Sequence, residues 1–223
     1  MSPVAVDNPA KFSNSILAVI SEILDTYKIT GMVLDPFAGI GKVHTLSGST
    51  RITIGVELEE EWAIQHPQTI HGNSLDLRGL GFDPESVQCI VTSPTYGNRM
   101  ADHHNARDGS KRNTYRHVLG QELTDGSSAS MNWGPEYREF HRLVYREIVD
   151  VLETDGLFVL NMKDHIRKGK VVKATVWHRA VLRGLGIEWL EQRAVVATGN
   201  RQGQNGQVRL PIEWVLVGRK DGG

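Results

Sequence analysis

Short apolar runs alternate with amphipathic stretches along most of this chain. Ile16, Leu17, Ile20, Ile23 and Leu24 recur at helical spacing, which predicts a first helix over 13–27 capped by Ser13 or Ser15. Residues 32–34 read as a short buried strand ending at Asp35, and Gly39, Gly41 and Gly48 punctuate the turn and short helix after it. A second strand is predicted over 51–56, ending at Glu57. Glu59, Glu60 and Glu61 suit the first turn of the helix that follows, where the helix dipole favours acids. The run 87–92 is a further strand, ending at Ser93 and Pro94. Tyr137, Phe140, Val144, Ile148 and Leu152 mark the apolar side of a helix over 135–152. A strand over 157–161 and a helix over 173–185 come next. Two late strands, 188–198 and 212–218, have no helix between them and should pair as a hairpin.

This alternation implies an α/β architecture, doubly wound, with a mostly parallel sheet between two helical layers. Two long irregular stretches remain, 96–134 and 199–210, and loops of that length in a compact domain usually carry function.

Composition narrows the class. The 223 residues suit one domain over 1–223, and a 39% hydrophobic, 23% charged chain can bury a sizeable core, which excludes a disordered or fibrous protein. No apolar run is long enough to span a membrane, and the first ten residues lack a signal-peptide pattern. Cys89 is the single cysteine and lies inside the 87–91 apolar run, so a buried structural thiol in a cytoplasmic protein is expected. The net charge of −1 conceals an asymmetry. Residues 1–96 hold 5 Lys+Arg against 11 Asp+Glu, and residues 97–223 hold 20 against 15. An acidic half suits a small ligand carrying an amine and hydroxyls, and a basic half suits a polyanion.

Several local strings carry chemistry. In 33–41 a strand runs into a glycine-rich turn, where the bare Gly39 and Gly41 let the backbone approach a ligand closely. The spacing is neither the dinucleotide fingerprint nor a phosphate-binding P-loop. Glu57, 22 positions after Asp35, can accept hydrogen bonds from both hydroxyls of a ribose. His71-Gly72-Asn73 follows, and then Ser93-Pro94-Thr95-Tyr96 at the end of the 87–92 strand. An exocyclic amino group on a base is a poor nucleophile, because its lone pair is delocalised into the ring. A side-chain oxygen and a backbone carbonyl that accept its hydrogens aim that lone pair outward, while an aromatic ring stacks on the extruded base.

Asp35-Pro36-Phe37-Ala38-Gly39-Ile40-Gly41 resembles motif I of the class I S-adenosylmethionine-dependent methyltransferases, above all those that methylate amino groups of bases. Ser93-Pro94-Thr95-Tyr96 is similar to their (Asp/Asn/Ser)-Pro-Pro-(Tyr/Phe) string, with Thr95 where the second proline is expected. The resemblance implies a Rossmann-like fold with a seven-stranded sheet and a C-terminal antiparallel hairpin. It also implies S-adenosylmethionine as cofactor, with Asp35, Phe37, Ala38, Gly39 and Gly41 around its methionine part, Glu57 on its ribose, Asn73 at its adenine and Phe12 as a cover. Ser93 and the Pro94 carbonyl would contact the amino group, and Tyr96 would stack on the base. A plain hydrophobic staple is the other reading of Phe12.

No insertion between the two strings is large enough for target recognition, so 97–134 is the expected recognition loop. Asn98, Arg99, Arg107, Lys111, Arg112 and Arg116 would grip phosphates or read base edges, with Asn105, Asn113 and Tyr115 interleaved. Asn161 and Asp164 sit at a strand end near the cleft, as substrate contacts or loop anchors. Arg167, Lys168, Lys170 and Lys173 add positive charge beside them. His103 and His104 lack supporting ligands, so no metal is expected. The expected activity is methyl transfer to a base amino group in DNA, with cytosine N4 ahead of adenine N6. Buried Cys89 argues against the cysteine nucleophile of carbon-5 methylation. An RNA base methyltransferase, an amine methyltransferase of another substrate class and a non-catalytic module of the same fold stay open as alternatives.

Overall fold

The computed structural model describes residues 7–8, 11–97, 115–167, 169–196 and 210–222. The expected sheet is there. Seven strands run in the order β3-β2-β1-β4-β5-β9-β8, with β1 Met32–Asp35, β2 Ile52–Glu57, β3 Thr69–His71, β4 Val87–Thr92, β5 Leu152–Met162, β8 Ile187–Val196 and β9 Ile212–Lys220. Strands β1 to β5 are parallel, and β9 pairs antiparallel with both β5 and β8, which forms the anticipated hairpin. A separate two-stranded ribbon joins β6 His165–Arg167 to β7 Lys170–Val172.

The apolar strands serve two cores at once because side chains alternate across a sheet. Val33, Cys89, Val91, Leu157, Val159, Val215 and Val217 face a layer built on α1 (Asn14–Thr26). Leu34, Ile90, Phe158, Leu160 and Leu216 face the opposite layer, where α4 (Pro135–Val151) supplies Val144, Tyr145 and Ile148 and α5 (Ala174–Gly184) supplies Leu182. Ser13 is the cap of α1, its hydroxyl accepting the Ile16 N–H at 3.3 Å. The helix buries all five residues that predicted it. Truncating a fully buried one such as Ile23 to alanine should cost about 2–5 kcal/mol. Cys89 is buried, as expected, and burial pushes its thiol well up from its ordinary range.

Differences from the sequence reading are local. β5 begins at Leu152, straight after α4, because Leu152 pairs with Val87 across a bulge and draws polar Glu153 and Thr154 into the strand. β3 is only three residues long and half exposed, so it has no apolar run to announce it. The ribbon β6–β7 lies where a plain basic segment was read. Within 97–134 the described part is ordered into α3 (Tyr115–Leu119) and a 3-10 turn at Ser128–Ser130. No helix among the described residues is long and apolar enough to cross a membrane.

Candidate active site

Parallel pairing brings the carboxyl ends of β2, β1, β4 and β5 to one edge of the sheet, in that spatial order. These ends carry Glu57, Asp35, Ser93 and Asn161. Ligands of open α/β sheets bind along such an edge.

The β1–β2 side is built around two carboxylates. Asp35 is completely buried. Its Oδ1 accepts the Phe37 N–H at 3.0 Å and the Thr92 hydroxyl at 3.1 Å, while Oδ2 has no partner among the described residues. Burial pushes this carboxyl up to about 7 against those two donors. Glu57 accepts the Gly39 N–H at 2.8 Å through Oε2 and the Glu59 N–H at 2.9 Å through Oε1. Burial raises it to about 7 as well, opposed by its backbone donors. The second-strand acid thus also holds the glycine turn. Gly39 and Gly41 adopt the left-handed conformation, with φ of 54° and 74°. A side chain on Gly39 would start 2.6 Å from the side-chain amide nitrogen of Asn8, and one on Gly41 would meet the His44 ring and the Cβ of His66. The backbone angle therefore calls for glycine at both positions, and at Gly41 the packed His44 ring adds a lack of space.

Beneath the turn, His44 sits between Thr53 of β2 and Thr69 of β3, at 3.0 and 2.8 Å, and stacks on His66 at 3.8 Å. Burial and the neighbouring His66 lower His44 to about 4, so it is a neutral strut. Ser74 ties the connection after β3 to the Pro36 carbonyl. Asn73 is exposed and accepts the Leu75 N–H at 3.0 Å. Phe37 packs on α4 beside Phe140 and His141, and Ala38 is buried. Phe12 packs into the core cluster under α1, and it is Asn8 that lies over Gly39. The Asn8 segment is pinned by the Trp62 indole N–H, which donates to the Asp7 carbonyl at 3.2 Å.

On the β4–β5 side, Ser93 Oγ and Tyr96 Oη lie 3.1 Å apart, and the Asn161 amide donates to both at 3.2 Å. Asn161 is buried, and its Oδ1 has no partner among the described residues. Glu213, at the start of β9, lies 3.5 Å from both the Asn161 amide and the Lys163 ammonium. Pro94 is buried behind Ser93. Burial, the Glu213 carboxylate and Tyr115 raise the Tyr96 hydroxyl, opposed by its bond to Ser93, so it is a neutral donor or acceptor.

Thr95, the departure from the resemblance, is tied from both ends. Its hydroxyl bonds the Ser128 carbonyl and hydroxyl, each at 3.1 Å, and its own carbonyl accepts the Tyr137 hydroxyl. Asp164 accepts the Thr175 N–H at 2.8 Å, in the first turn of α5, which is the anchoring alternative of its two expected roles. Arg167 donates to the Trp133 carbonyl at 2.6 Å.

Of the expected recognition loop, Asn98, Arg99, Arg107, Lys111 and Arg112 lie outside the described residues. Arg116 is described and pairs with Glu122 at 2.5 Å. Tyr115, read as an interleaved aromatic, is buried against Trp62 at 5.5 Å, and the Glu57 carboxylate adds to the burial that raises its hydroxyl. Glu59 is buried too and accepts the Thr124 hydroxyl at 2.9 Å and its N–H at 3.2 Å, closing the returning segment onto α2 (Glu60–Ala63). The sequence carries no signal for the roles of Ser74 and Glu213, and shows Glu59 only as an acid at a helix start, because each acts through a partner 38 or more positions away. No group of three or more metal-binding side chains occurs among the described residues.

No family model matches this sequence, and no curated protein does. Solved structures do. The chain is similar to an S-adenosylmethionine-dependent methyltransferase from Methanosarcina mazei, with TM-score 0.55 and 12% identity over 89% of this chain and 97% of that one. It is similar to TrmN from Thermus thermophilus, with TM-score 0.51 and 17% identity over 92% of this chain and 48% of that longer one. The cyclase SpnF matches at TM-score 0.56 and 9% identity, over 97% and 86%. Identities this low speak to fold, and the fold is the Rossmann-like one of the S-adenosylmethionine-dependent methyltransferases.

Proposed function

We propose that this protein transfers a methyl group from S-adenosylmethionine to an exocyclic amino group of a base in DNA, with cytosine N4 ahead of adenine N6. The observation that carries the reading is a juxtaposition. Ser93, Tyr96 and Asn161 meet within 3.2 Å at the ends of β4 and β5, and the glycine turn held by Glu57 lies on the adjoining β1 and β2.

The residues on the first side fit the cofactor. Glu57 would accept the ribose hydroxyls, and Asp35 Oδ2, without a partner among the described residues, offers a buried carboxylate acceptor for the amine end. Phe37, Ala38, Gly39 and Gly41 would line the methionine part, and Asn73 would reach the adenine. When bound, the cofactor supplies an electrophilic methyl group. On the acceptor side, Ser93 Oγ and the Pro94 carbonyl would take the two amino hydrogens, and Tyr96 would stack on the base. No residue needs to become a nucleophile. The contribution is alignment together with fixed dipoles where the nitrogen loses its delocalised lone pair. Thr95 is compatible with this chemistry, because tertiary contacts hold its backbone where a proline ring would otherwise do so.

The basic stretch 98–117, with five Lys+Arg against two Asp, would carry the polyanion. The likeness to SpnF, a cyclase, motivates a second reading, a cofactor-binding module on the same fold that transfers no methyl group. Tritiated S-adenosylmethionine incubated with DNA and RNA in parallel, followed by nucleoside mass spectrometry, separates these. Label in N4-methylcytosine or N6-methyladenine of DNA is expected. Label in RNA alone would replace DNA by RNA as the substrate, and cofactor binding without label in any acceptor would favour the second reading.

A further inference from the structure

Behind the acceptor loop lies a buried polar chain that none of the cleft residues explains. Tyr137 and Tyr145, two turns apart on α4, and His178, on α5, are completely buried. The Tyr145 hydroxyl is 2.6 Å from His178 Nδ1, the Tyr137 hydroxyl is 3.0 Å from His178 Nε2, and Tyr137 also bonds the Thr95 carbonyl. We infer that these three side chains form a one-directional hydrogen-bond chain that fixes the Thr95 carbonyl and so acts as the positioning device of the acceptor loop.

The direction follows from donor and acceptor counting. A carbonyl oxygen only accepts, so the single hydroxyl hydrogen of Tyr137 goes to Thr95. Toward His178, Tyr137 can then only accept, and Nε2 must carry a hydrogen. A neutral imidazole has one N–H, which leaves Nδ1 as an acceptor for the Tyr145 hydroxyl. Burial and the nearby His141 disfavour a second proton on His178, in agreement with this count. His141 obeys the same logic with the opposite outcome. Its Nδ1 lies 2.8 Å from the Tyr137 carbonyl and must donate, so its Nε2 is bare, and it has no partner among the described residues. Two buried histidines 5.3 Å apart thus hold opposite tautomers.

The chain terminates on the residue between Pro94 and Tyr96. A shift of the Thr95 carbonyl displaces the two groups proposed to hold the amino nitrogen and the base. Misplacement of this kind reduces transfer without touching the cofactor side. The inference rests on the proposed transfer reaction for its catalytic consequence and on geometry alone for the chain itself.

Nitrogen-15 NMR of the histidine rings tests it. In the wild-type protein His178 should show a pyrrole-type Nε2 and His141 a pyrrole-type Nδ1. Tyr137→Phe removes the acceptor of His178 Nε2–H, while the Tyr145 hydroxyl keeps Nδ1 as its acceptor, so the Nε2–H tautomer should stay and its Nε2 resonance should move as that hydrogen bond is lost. Tyr145→Phe should leave the Nε2–H tautomer in place. In transfer assays Tyr137→Phe should lower kcat about tenfold, with KM for S-adenosylmethionine within about twofold, and Tyr145→Phe should give a smaller loss of about threefold. An Nδ1–H or doubly protonated His178 in the wild type overturns the chain. An unchanged kcat in Tyr137→Phe, or, if the wild type transfers no methyl group, an unmoved Thr95 carbonyl carbon resonance in that variant, overturns the positioning role.

Discussion

The two halves of the cleft are held in different ways. On the β1–β2 side, main-chain N–H groups of Phe37, Gly39 and Glu59 bond the carboxylates of Asp35 and Glu57, and Ala38 bonds the Val56 carbonyl at 3.0 Å. All of these residues fall within a 25-residue stretch. On the β4–β5 side, Thr95 is held by Ser128 and Tyr137, and Ser93 and Tyr96 by Asn161, over separations of 33 to 68 residues. The first half is a local motif that folds with its own strand pair. The second is a short loop whose shape is imposed by elements far along the chain. Changes on the first side should therefore act on cofactor binding, and changes on the second on transfer.

The largest expected effect is on the acceptor side. Tyr96→Ala removes the proposed stacking ring and a partner of Ser93, and should lower kcat about a thousandfold while the Kd for S-adenosylmethionine moves less than about threefold. Equal loss of both in transfer kinetics and calorimetry would erase the distinction between the halves. Glu57→Ala should raise the cofactor Kd about a hundredfold, since it removes the carboxylate proposed to hold the ribose and frees the Gly39 N–H. An unchanged Kd would place the nucleoside elsewhere.

Acidity sharpens the same contrast. Asp35 and Glu57 are raised to about 7 by burial, whereas they ionise near ~4 in the unfolded chain. The unfolded state therefore binds fewer protons between these values, and stability of the cofactor-free protein should fall as pH rises from about 4 to about 7. A cationic ligand that favours the ionised carboxylates should bind about tenfold more tightly per group at pH 8 than at pH 6, with release of protons. Calorimetry in buffers of different ionisation enthalpy measures that release, and pH-independent binding would separate both acids from the ligand. The smallest effect is expected for Thr95→Ala, a loss of about 1 kcal/mol of stability in urea denaturation together with a weaker tie to Ser128. No change in either would remove Thr95 as an anchor.

This division also separates what could be read in the sequence from what could not. Asp35, Gly39, Gly41 and Glu57 stand in a short string with a fixed spacing to the next strand, and the two-core alternation of β1, β4, β5 and β9 is visible as short apolar runs. The same physics made the sheet and its hairpin legible. Tyr137 reads only as an apolar-face position of α4, and Tyr145 is not among the positions that mark that face, since helical periodicity does not show which hydroxyl meets which imidazole. Thr95 stood out as a missing proline, but its replacement by tertiary contacts depends on Ser128 and Tyr137 arriving from elsewhere. Phe12 and Tyr115 show the opposite limit. Each is an aromatic near a motif, and each is buried against a neighbouring hydrophobic cluster, under α1 for Phe12 and on Trp62 for Tyr115. Arg116 stands in a basic stretch and pairs with Glu122, which the count of charges does not reveal.

The most direct test is a crystal structure of the protein with S-adenosylhomocysteine. The account predicts the ribose hydroxyls on the Glu57 carboxylate, the amino-acid end beside Asp35 and the Gly39–Gly41 turn, and the sulfur turned toward Ser93, Pro94 and Tyr96. A nucleoside bound away from Glu57, or a sulfur facing away from the Ser93 loop, would contradict it.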